Sequence, residues 1–216
     1  MKVVLTDYAY DTLQPFSDVY QAAGVEFIPL QCKSKQEVLQ ATEYADGVMT
    51  HYAHIDREVI DNLKNCKIII RSAVGVENID VEAANQRGIS VANVPDYCIE
   101  EVSDYVILLL LASAKKFCVL ERMVQRGEWD YAITKPSDTI HGKTLGLVGC
   151  GNIARAVARK AKVFDMDIIG CDPGVTEQEV AKYGIHLLPQ EKVLQDSDFL
   201  SLHAPLNRYT KHMINR

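Results

Sequence analysis

Short runs of aliphatic and β-branched residues alternate with amphipathic stretches throughout the first hundred residues of the chain. The runs are apolar along their whole length, as in Ile68-Ile69-Ile70. Such runs are typical of parallel strands in a sheet that helices cover on both faces. Five strands are predicted, at residues 2–6, 25–29, 47–50, 67–71 and 89–92, with four helices near 16–23, 35–44, 56–63 and 81–86. This alternation predicts a flavodoxin-like, doubly wound α/β domain over residues 1–98.

A longer apolar stretch follows and predicts one continuous helix over residues 100–126. Glu100 and Glu101 favour its beginning because acids interact well with the positive end of a helix dipole, and Gly127 can end it in a left-handed conformation. Its first half has few polar positions, so both domains or a second subunit should cover it. We therefore expect residues 99–127 to form a linking helix through which a homodimer assembles.

The clearest chemical motif lies where the predicted strand 144–148 runs into a predicted helix. Its sequence, G-x-G-x-x-A, extends from Gly149 to Ala154. The first glycine permits a tight turn, Gly151 lets the backbone approach a pyrophosphate, and Ala154 lets the helix pack closely on its strand. The N-terminus of that helix offers free N–H groups to phosphates. The residues expected to bind a dinucleotide here are Gly149, Cys150, Gly151, Asn152 and Ile153.

An acid, Asp172, follows the next predicted strand, 21 residues beyond Gly151. A carboxylate at this place can accept hydrogen bonds from the hydroxyl groups of the adenosine ribose and would repel a 2′-phosphate. No arginine follows it immediately, so NAD is favoured over NADP. The alternative is an ordinary strand–helix–strand turn with a solvated acid before Pro173.

The second half of the chain contains fewer strands than a complete dinucleotide-binding fold requires. Strands are predicted at residues 144–148, 167–171, 186–188 and 199–202, and helices at 152–164, 176–183 and 189–195. A complete Rossmann fold has six strands in the order 3-2-1-4-5-6, so four strands predict the order 3-2-1-4. We expect residues 128–216 to form an incomplete Rossmann domain whose last strand is an open edge. Either the chain is part of a longer enzyme or a partner completes the sheet.

Loops after other strands supply candidate ligand groups, since open α/β sheets bind ligands at the carboxyl ends of their strands. The loop that contains Val74 and Gly75 follows the fourth strand and can present consecutive N–H groups to an anion. Its alternative role is a routine strand–helix connection in which Asp80 caps the next helix.

Two further loops also follow the carboxyl ends of predicted strands. His51 and Tyr52 follow the third strand and are candidates for lining a substrate cleft, whereas His51 and His54 are not expected to bind a metal. The loop after the strand at 199–202 is expected to face a bound dinucleotide, although a surface turn is the alternative. Its candidate cofactor-binding residues are His203, Ala204, Pro205, Asn207 and Thr210.

The amino-acid composition indicates which classes of binding partner are not expected. The 216 residues include 23 Lys and Arg against 29 Asp and Glu, a formal net charge of −6. Nucleic acids and anionic membranes bind mainly through Lys and Arg, so neither is expected as a partner. The six cysteines form no C-x-x-C pair, which disfavours zinc ribbons and thioredoxin-type redox chemistry. In a chain long enough to form a core without disulfides, they are expected to be reduced thiols of a cytoplasmic protein. The longest apolar run, 106–112, is far shorter than the ~20 residues that span a bilayer.

Several motifs follow one another in order along the whole chain. They are Val-Gly-Val-Glu-Asn-Ile-Asp at 74–80, Asn-Val-Pro at 93–95, Glu-Glu-Val-Ser-Asp at 100–104, Gly-Lys-Thr-Leu-Gly at 142–146, Asp-Pro at 172–173 and His-Ala-Pro-Leu at 203–206. Together with the glycine motif they resemble the D-isomer-specific 2-hydroxyacid dehydrogenases. The segment at 100–104 and the ending His-Met-Ile-Asn most resemble the C-terminal-binding-protein-like and phosphoglycerate-dehydrogenase-like branches.

The resemblance implies reversible hydride transfer between NAD and C2 of a small D-2-hydroxy acid. It also implies that Val74 and Gly75 hold the substrate carboxylate, with Val74 near the cofactor as well. In this family an Arg orients the substrate while a His, tuned by a Glu, moves the proton. No residue here matches that Arg, Glu or His, which are expected beyond Arg216, and Arg216 itself is not the catalytic Arg. The chain is thus expected to be a C-terminally truncated member of the family with negligible catalysis of its own.

Two other functions stay open on the sequence alone. One is a binding or co-regulator module that senses NAD and changes its association without turnover. The other is a Rossmann enzyme that uses S-adenosylmethionine, which lacks the pyrophosphate that Gly151 is expected to admit.

Overall fold

The apolar strands form two separate parallel sheets, one in each half of the chain. The computed structural model describes residues 1–136 and 139–215, and the chain divides into two units, Met1–Tyr97 and Cys98–Arg216. Arg216 lies outside the described residues. No helix in the described ranges is both long and apolar enough to cross a bilayer.

The first unit has the predicted flavodoxin-like arrangement. Its strands are β1 (Lys2–Leu5), β2 (Glu26–Pro29), β3 (Gly47–Thr50), β4 (Ile68–Arg71) and β5 (Ser90–Ala92). They pair in parallel in the order β2-β1-β3-β4-β5. The helices are α1 (Gln14–Ala22), α2 (Lys35–Thr42), α3 (Arg57–Asn62) and α4 (Val81–Gln86).

Helices cover both faces of this sheet, as the uniformly apolar strands predict. Val4, Val48 and Ile69 are neighbours in register and pack on one face against residues of α2, α3 and α4. The other face buries Leu5 and Met49 with side chains of α1 and β2. Successive residues of a strand point to opposite faces of the sheet. Because helices cover both faces here, the residues on each face must be apolar.

The second unit contains a four-stranded parallel sheet. Its strands are β6 (Thr144–Val148), β7 (Asp167–Cys171), β8 (Ile185–Leu187) and β9 (Phe199–Leu202). The order β8-β7-β6-β9 is the predicted 3-2-1-4, with β9 at one edge of the described sheet. The helices that follow the strands are α7 (Asn152–Ala161), extended by a 3-10 turn at Lys162–Phe164, α8 (Glu177–Ala181) and α9 (Gln190–Asp196).

The prediction of one continuous helix over residues 99–127 is wrong. The structure has two helices, α5 (Ile99–Ala114) and α6 (Phe117–Gln125), and Lys116 between them is left-handed with φ +52°. Both are grouped with the second unit. At 3.6 residues per turn, a straight helix would place Met123 about 140° around the axis from Leu110, yet both side chains are buried. The break resets the helical phase, which apolar spacing alone does not reveal.

Candidate functional site

The turn between β6 and α7 brings the first glycine of the motif against the loop that follows β9. Gly149 has φ +89°, and its N–H donates to Cys171 O at 2.8 Å. A Cβ atom on Gly149 would lie 2.7 Å from Ala204 N and 2.8 Å from the carbonyl carbon of His203. Both the backbone conformation and the close approach therefore require glycine here.

The second glycine lies against open space at the beginning of α7. Gly151 is the N-cap residue of this ten-residue helix, and no side chain caps the helix N-terminus. A Cβ on Gly151 would have no atom within 4 Å, and Asn152 is exposed. Ala154, by contrast, is completely buried in the core. The free N–H groups and the positive end of the helix dipole therefore lie where a pyrophosphate fits.

Asp172 joins the glycine turn to the end of β7. One carboxylate oxygen accepts the N–H of Cys150 and the other accepts the N–H of Gly174, each at 2.8 Å. Asp172 is only half-buried, and each carboxylate oxygen has capacity for a further hydrogen bond. The residues therefore fit both the phosphates and the adenosine ribose of a dinucleotide.

Cys150 supports this turn from beneath. Burial raises the pKa of its thiol to about 12, and the charge of Asp172 acts in the same direction, so the thiol stays neutral. Its Sγ would lie 2.6 Å from a Cβ on Gly170 of β7, and its carbonyl accepts Arg155 Nε at 2.9 Å. Because the Cys150 N–H already donates to Asp172, this residue shapes the turn and does not offer that N–H to a ligand.

Hydrogen bonds to β6 and within the loop itself hold the conformation of residues 203–210. The N–H of His203 donates to Val148 O at 2.7 Å, and its Nε2 lies 3.0 Å from Ser201 Oγ. Burial lowers the pKa of this imidazole, which favours its neutral form. Asn207 Oδ1 accepts the N–H groups of Tyr209 and Thr210, at 2.8 and 3.2 Å. Ala204 thus lies beside Gly149, whereas Asn207 and Thr210 stabilise the turn itself; Pro205 is exposed.

In the first unit, the loop after β3 lies beside the end of β1, where the strand order reverses. His51 stacks between Tyr10 and Tyr52, with ring centroids 5.3 and 4.1 Å apart. Tyr52 is 64% exposed, so it is open to a ligand. His51 O accepts Arg71 Nε at 3.3 Å, which links this loop to the one after β4.

An ion pair braces the loop that contains Val74 and Gly75. The Arg71 side chain is 10% exposed, and its Nη1 lies 2.6 Å from Glu77 Oε2, which lowers the pKa of Glu77. A Cβ on Gly75 would overlap the Glu77 carboxylate, so a larger residue at this position would displace that side chain from Arg71. Asn93 Nδ2 donates to Val74 O, and Asp80 caps α4 through the N–H of Ala83. The loop is therefore a capped connection whose backbone is held in place by contacts of neighbouring side chains.

Several polar residues in this region are buried, although no sequence pattern had singled them out. Asp7, Ser72 and Asn78 are each at least nine-tenths buried. Ser72 Oγ and Asn78 Oδ1 have no hydrogen-bond partner among the described residues. The signal for Asp7 was an acid directly after an apolar strand, but its partners are more than forty residues away in sequence.

Comparison with known proteins agrees with this geometry. Residues 107–216, just over half of the chain, match the family model for the NAD-binding domain of D-isomer-specific 2-hydroxyacid dehydrogenases. A D-3-phosphoglycerate dehydrogenase from Methanocaldococcus jannaschii is 34% identical over an alignment that covers 100% of this chain and 41% of that protein. A glyoxylate reductase from Korarchaeum cryptofilum is 37% identical over 84% of this chain and 56% of its own length. The chain thus spans about half the length of these curated relatives.

Solved structures have the same architecture. A glyoxylate reductase from Paecilomyes thermophila superposes with a TM-score of 0.90 and 25% identity, covering 99% of this chain and 68% of that one. The fold is also that of a D-lactate dehydrogenase from Aquifex aeolicus, solved with NAD and lactic acid, with a TM-score of 0.88, 23% identity and coverage of 99% and 63%. The family match decides for NAD over S-adenosylmethionine. The chain belongs to the D-isomer-specific 2-hydroxyacid dehydrogenases, and its residues 107–216 belong to their NAD-binding domain.

Proposed function

We propose that the protein carrying this chain is an NAD-dependent oxidoreductase that interconverts a small D-2-hydroxy acid and its 2-keto acid. The observation that carries the proposal is the uncapped N-terminus of α7 beside Gly151, with Asp172 next to it. When bound, NAD supplies or accepts the hydride. The helix N-terminus holds the pyrophosphate, and Asp172 orients the adenosine ribose through its remaining lone pairs.

The substrate is bound by the first unit in this proposal. Backbone N–H groups at Val74 and Gly75 bind the carboxylate, supported by the Arg71–Glu77 ion pair behind them. His51 and Tyr52 line the space beside the rest of the substrate. Glyoxylate and hydroxypyruvate are suitable first substrates because relatives are named as reductases of these acids.

Residues 1–216 alone are proposed to bind the adenosine half of NAD with negligible turnover, since no described residue matches the catalytic Arg, Glu and His of the family. Calorimetric titration of NADH into this chain tests binding. NADH oxidation by the intact protein, measured with glyoxylate, hydroxypyruvate, pyruvate and 3-phosphohydroxypyruvate, tests activity. Binding of NADH without turnover on any of these acids would contradict the enzyme assignment.

A second candidate, NAD-dependent association without turnover, rests on an exposed apolar face of α5. Tyr105, Leu108 and Leu109 lie at helical spacing and are 62%, 56% and 55% exposed. Exposed apolar patches of this kind mark interaction surfaces, and a second copy of the chain would bury the same face twice in a symmetric dimer. Sedimentation velocity with and without NADH tests this, with Leu108→Glu as the variant that should give monomers. A sedimentation profile that does not change when NADH is added would contradict NAD-dependent association.

A further inference from the structure

Asp7 is a buried carboxylate whose main partners are backbone N–H groups of another loop. It lies two residues beyond the end of β1 and is 8% exposed. Its Oδ2 accepts the N–H of Tyr52 at 2.7 Å, and its Oδ1 accepts those of His51 and Ala53 at 3.2 and 3.1 Å. Three consecutive N–H groups therefore converge on one side chain.

Two hydroxyl groups complete the surroundings of this carboxylate. Thr6 Oγ1 and Thr50 Oγ1 lie 2.9 and 3.2 Å from Asp7 Oδ1. No Lys, Arg or His side chain of the described chain forms an ion pair with Asp7. Burial by itself would raise the pKa of Asp7, but the N–H groups of Tyr52, Ala53 and His51 and the Thr6 hydroxyl together lower it. The carboxylate is thus held charged by hydrogen bonds alone, an arrangement that is costly to bury unless every donor is in place.

The position of Asp7 in the sheet coincides with the place where open α/β folds bind ligands. The order β2-β1-β3-β4-β5 reverses direction between β1 and β3, and Asp7 bridges the ends of these two strands. Ligands bind outside the carboxyl ends of strands at such a switch point. The segment that Asp7 holds also contacts the loop after β4, because His51 O accepts Arg71 Nε and Ala53 O accepts Asn78 Nδ2.

We propose that Asp7 is a positioning residue, which fixes the backbone of residues 51–53 so that His51 and Tyr52 are correctly placed for a 2-keto acid bound at Val74 and Gly75. This inference rests on the proposed function and adds to it a residue that does not itself touch the substrate. Asp7 acts on the substrate end of the reaction and leaves the NAD site unaffected.

The test compares Asp7→Asn with Asp46→Asn in the intact protein. Asp46 is a matched control because its carboxylate also accepts a backbone N–H, that of Lys2 at 2.7 Å. This bond joins the same two strands, β1 and β3, at their opposite, amino-terminal ends. Asp7→Asn keeps the size of the side chain but turns an amide donor toward the N–H groups. We expect it to raise KM for the 2-keto acid about tenfold with KM for NADH unchanged, because small displacements of positioning groups cost this much or more.

Asp46→Asn should lower Tm while leaving both KM values unchanged. If Asp7→Asn does not fold, Thr50→Val replaces it, because this change removes a hydroxyl from the Asp7 cluster at constant shape and should raise the same KM about threefold. An unchanged KM for the 2-keto acid, or an equal rise in KM for NADH, would overturn the assignment of Asp7. Absence of turnover by the unmodified protein would instead overturn the proposed function, so the two failures are distinguishable.

Discussion

Gly149 and Gly151 are two residues apart, yet a methyl group should have different consequences at the two positions. Gly149 is left-handed and touches the loop after β9, whereas Gly151 has an ordinary extended backbone beside open space. One glycine is therefore required by the fold, and the other leaves room for a ligand.

We expect Gly149→Ala to lower the free energy of unfolding by more than about 2 kcal/mol, because it adds a clash to an unfavourable φ. Gly151→Ala should lower it by less than about 1 kcal/mol and weaken NADH binding about tenfold, since its methyl group occupies the space for the pyrophosphate. Urea unfolding and calorimetric titration of both variants measure these effects. Equal NADH affinity of Gly151→Ala and the unmodified chain would contradict the placement of the phosphates.

Asp172 should contribute to binding beyond its role in the turn. Asp172→Ala is expected to weaken NAD binding by about 1–3 kcal/mol, the range for hydrogen bonds to a charged group. Asp198→Ala is the matched control, because Asp198 accepts the N–H of Thr144 at 2.9 Å at the other end of β6. The control should lose stability and keep its NAD affinity. Similar affinities of the two variants would remove Asp172 from the ribose site.

At the scale of the secondary-structure elements, the sequence predicted the strands well and failed at one helix. The strands at 47–50, 144–148, 167–171 and 199–202 have the predicted bounds, because apolar runs in covered parallel sheets end where turn residues begin. No turn residue such as glycine or proline marks the break at Lys116 in the sequence. It arises from the need to bury Met123 as well as Leu110, a tertiary requirement.

The left-handed residue between α5 and α6 leads to a stability prediction. Lys116→Gly should raise the free energy of unfolding by about 0.5–1 kcal/mol, because glycine adopts φ +52° without the strain that a Cβ introduces. Lys115→Gly should lower it by a similar amount, since Lys115 has φ −95° and gains nothing from glycine. Urea denaturation of both variants measures the difference. A loss of stability in Lys116→Gly would argue for a continuous helix in solution.

At the scale of the whole molecule, folding stability should depend on Asp7 in a defined pH range. Its pKa is lowered from the ordinary value of 3.8, so the folded chain binds this proton less readily than the unfolded chain. The stabilisation is therefore complete above the unfolded pKa and is lost as the pH falls through the folded one. We expect the stability difference between the unmodified chain and Asp7→Asn to be larger at pH 6 than at pH 3. A difference independent of pH would contradict this linkage.

Sequence patterns alone predicted the two α/β units, the strand order of the second sheet and the dinucleotide motif with its acid. These features depend on the local spacing of residues and on general rules for parallel sheets. The sequence therefore contains all the information needed to predict them. Three features became evident only in the folded chain: the break between α5 and α6, the closed turn at Asn207 and Thr210, and the cluster around Asp7. Such features depend on which distant groups meet, as when a carboxylate after β1 finds N–H groups more than forty residues away. No periodicity in the chain encodes that pairing, because it depends on which distant residues the folded sheet brings together.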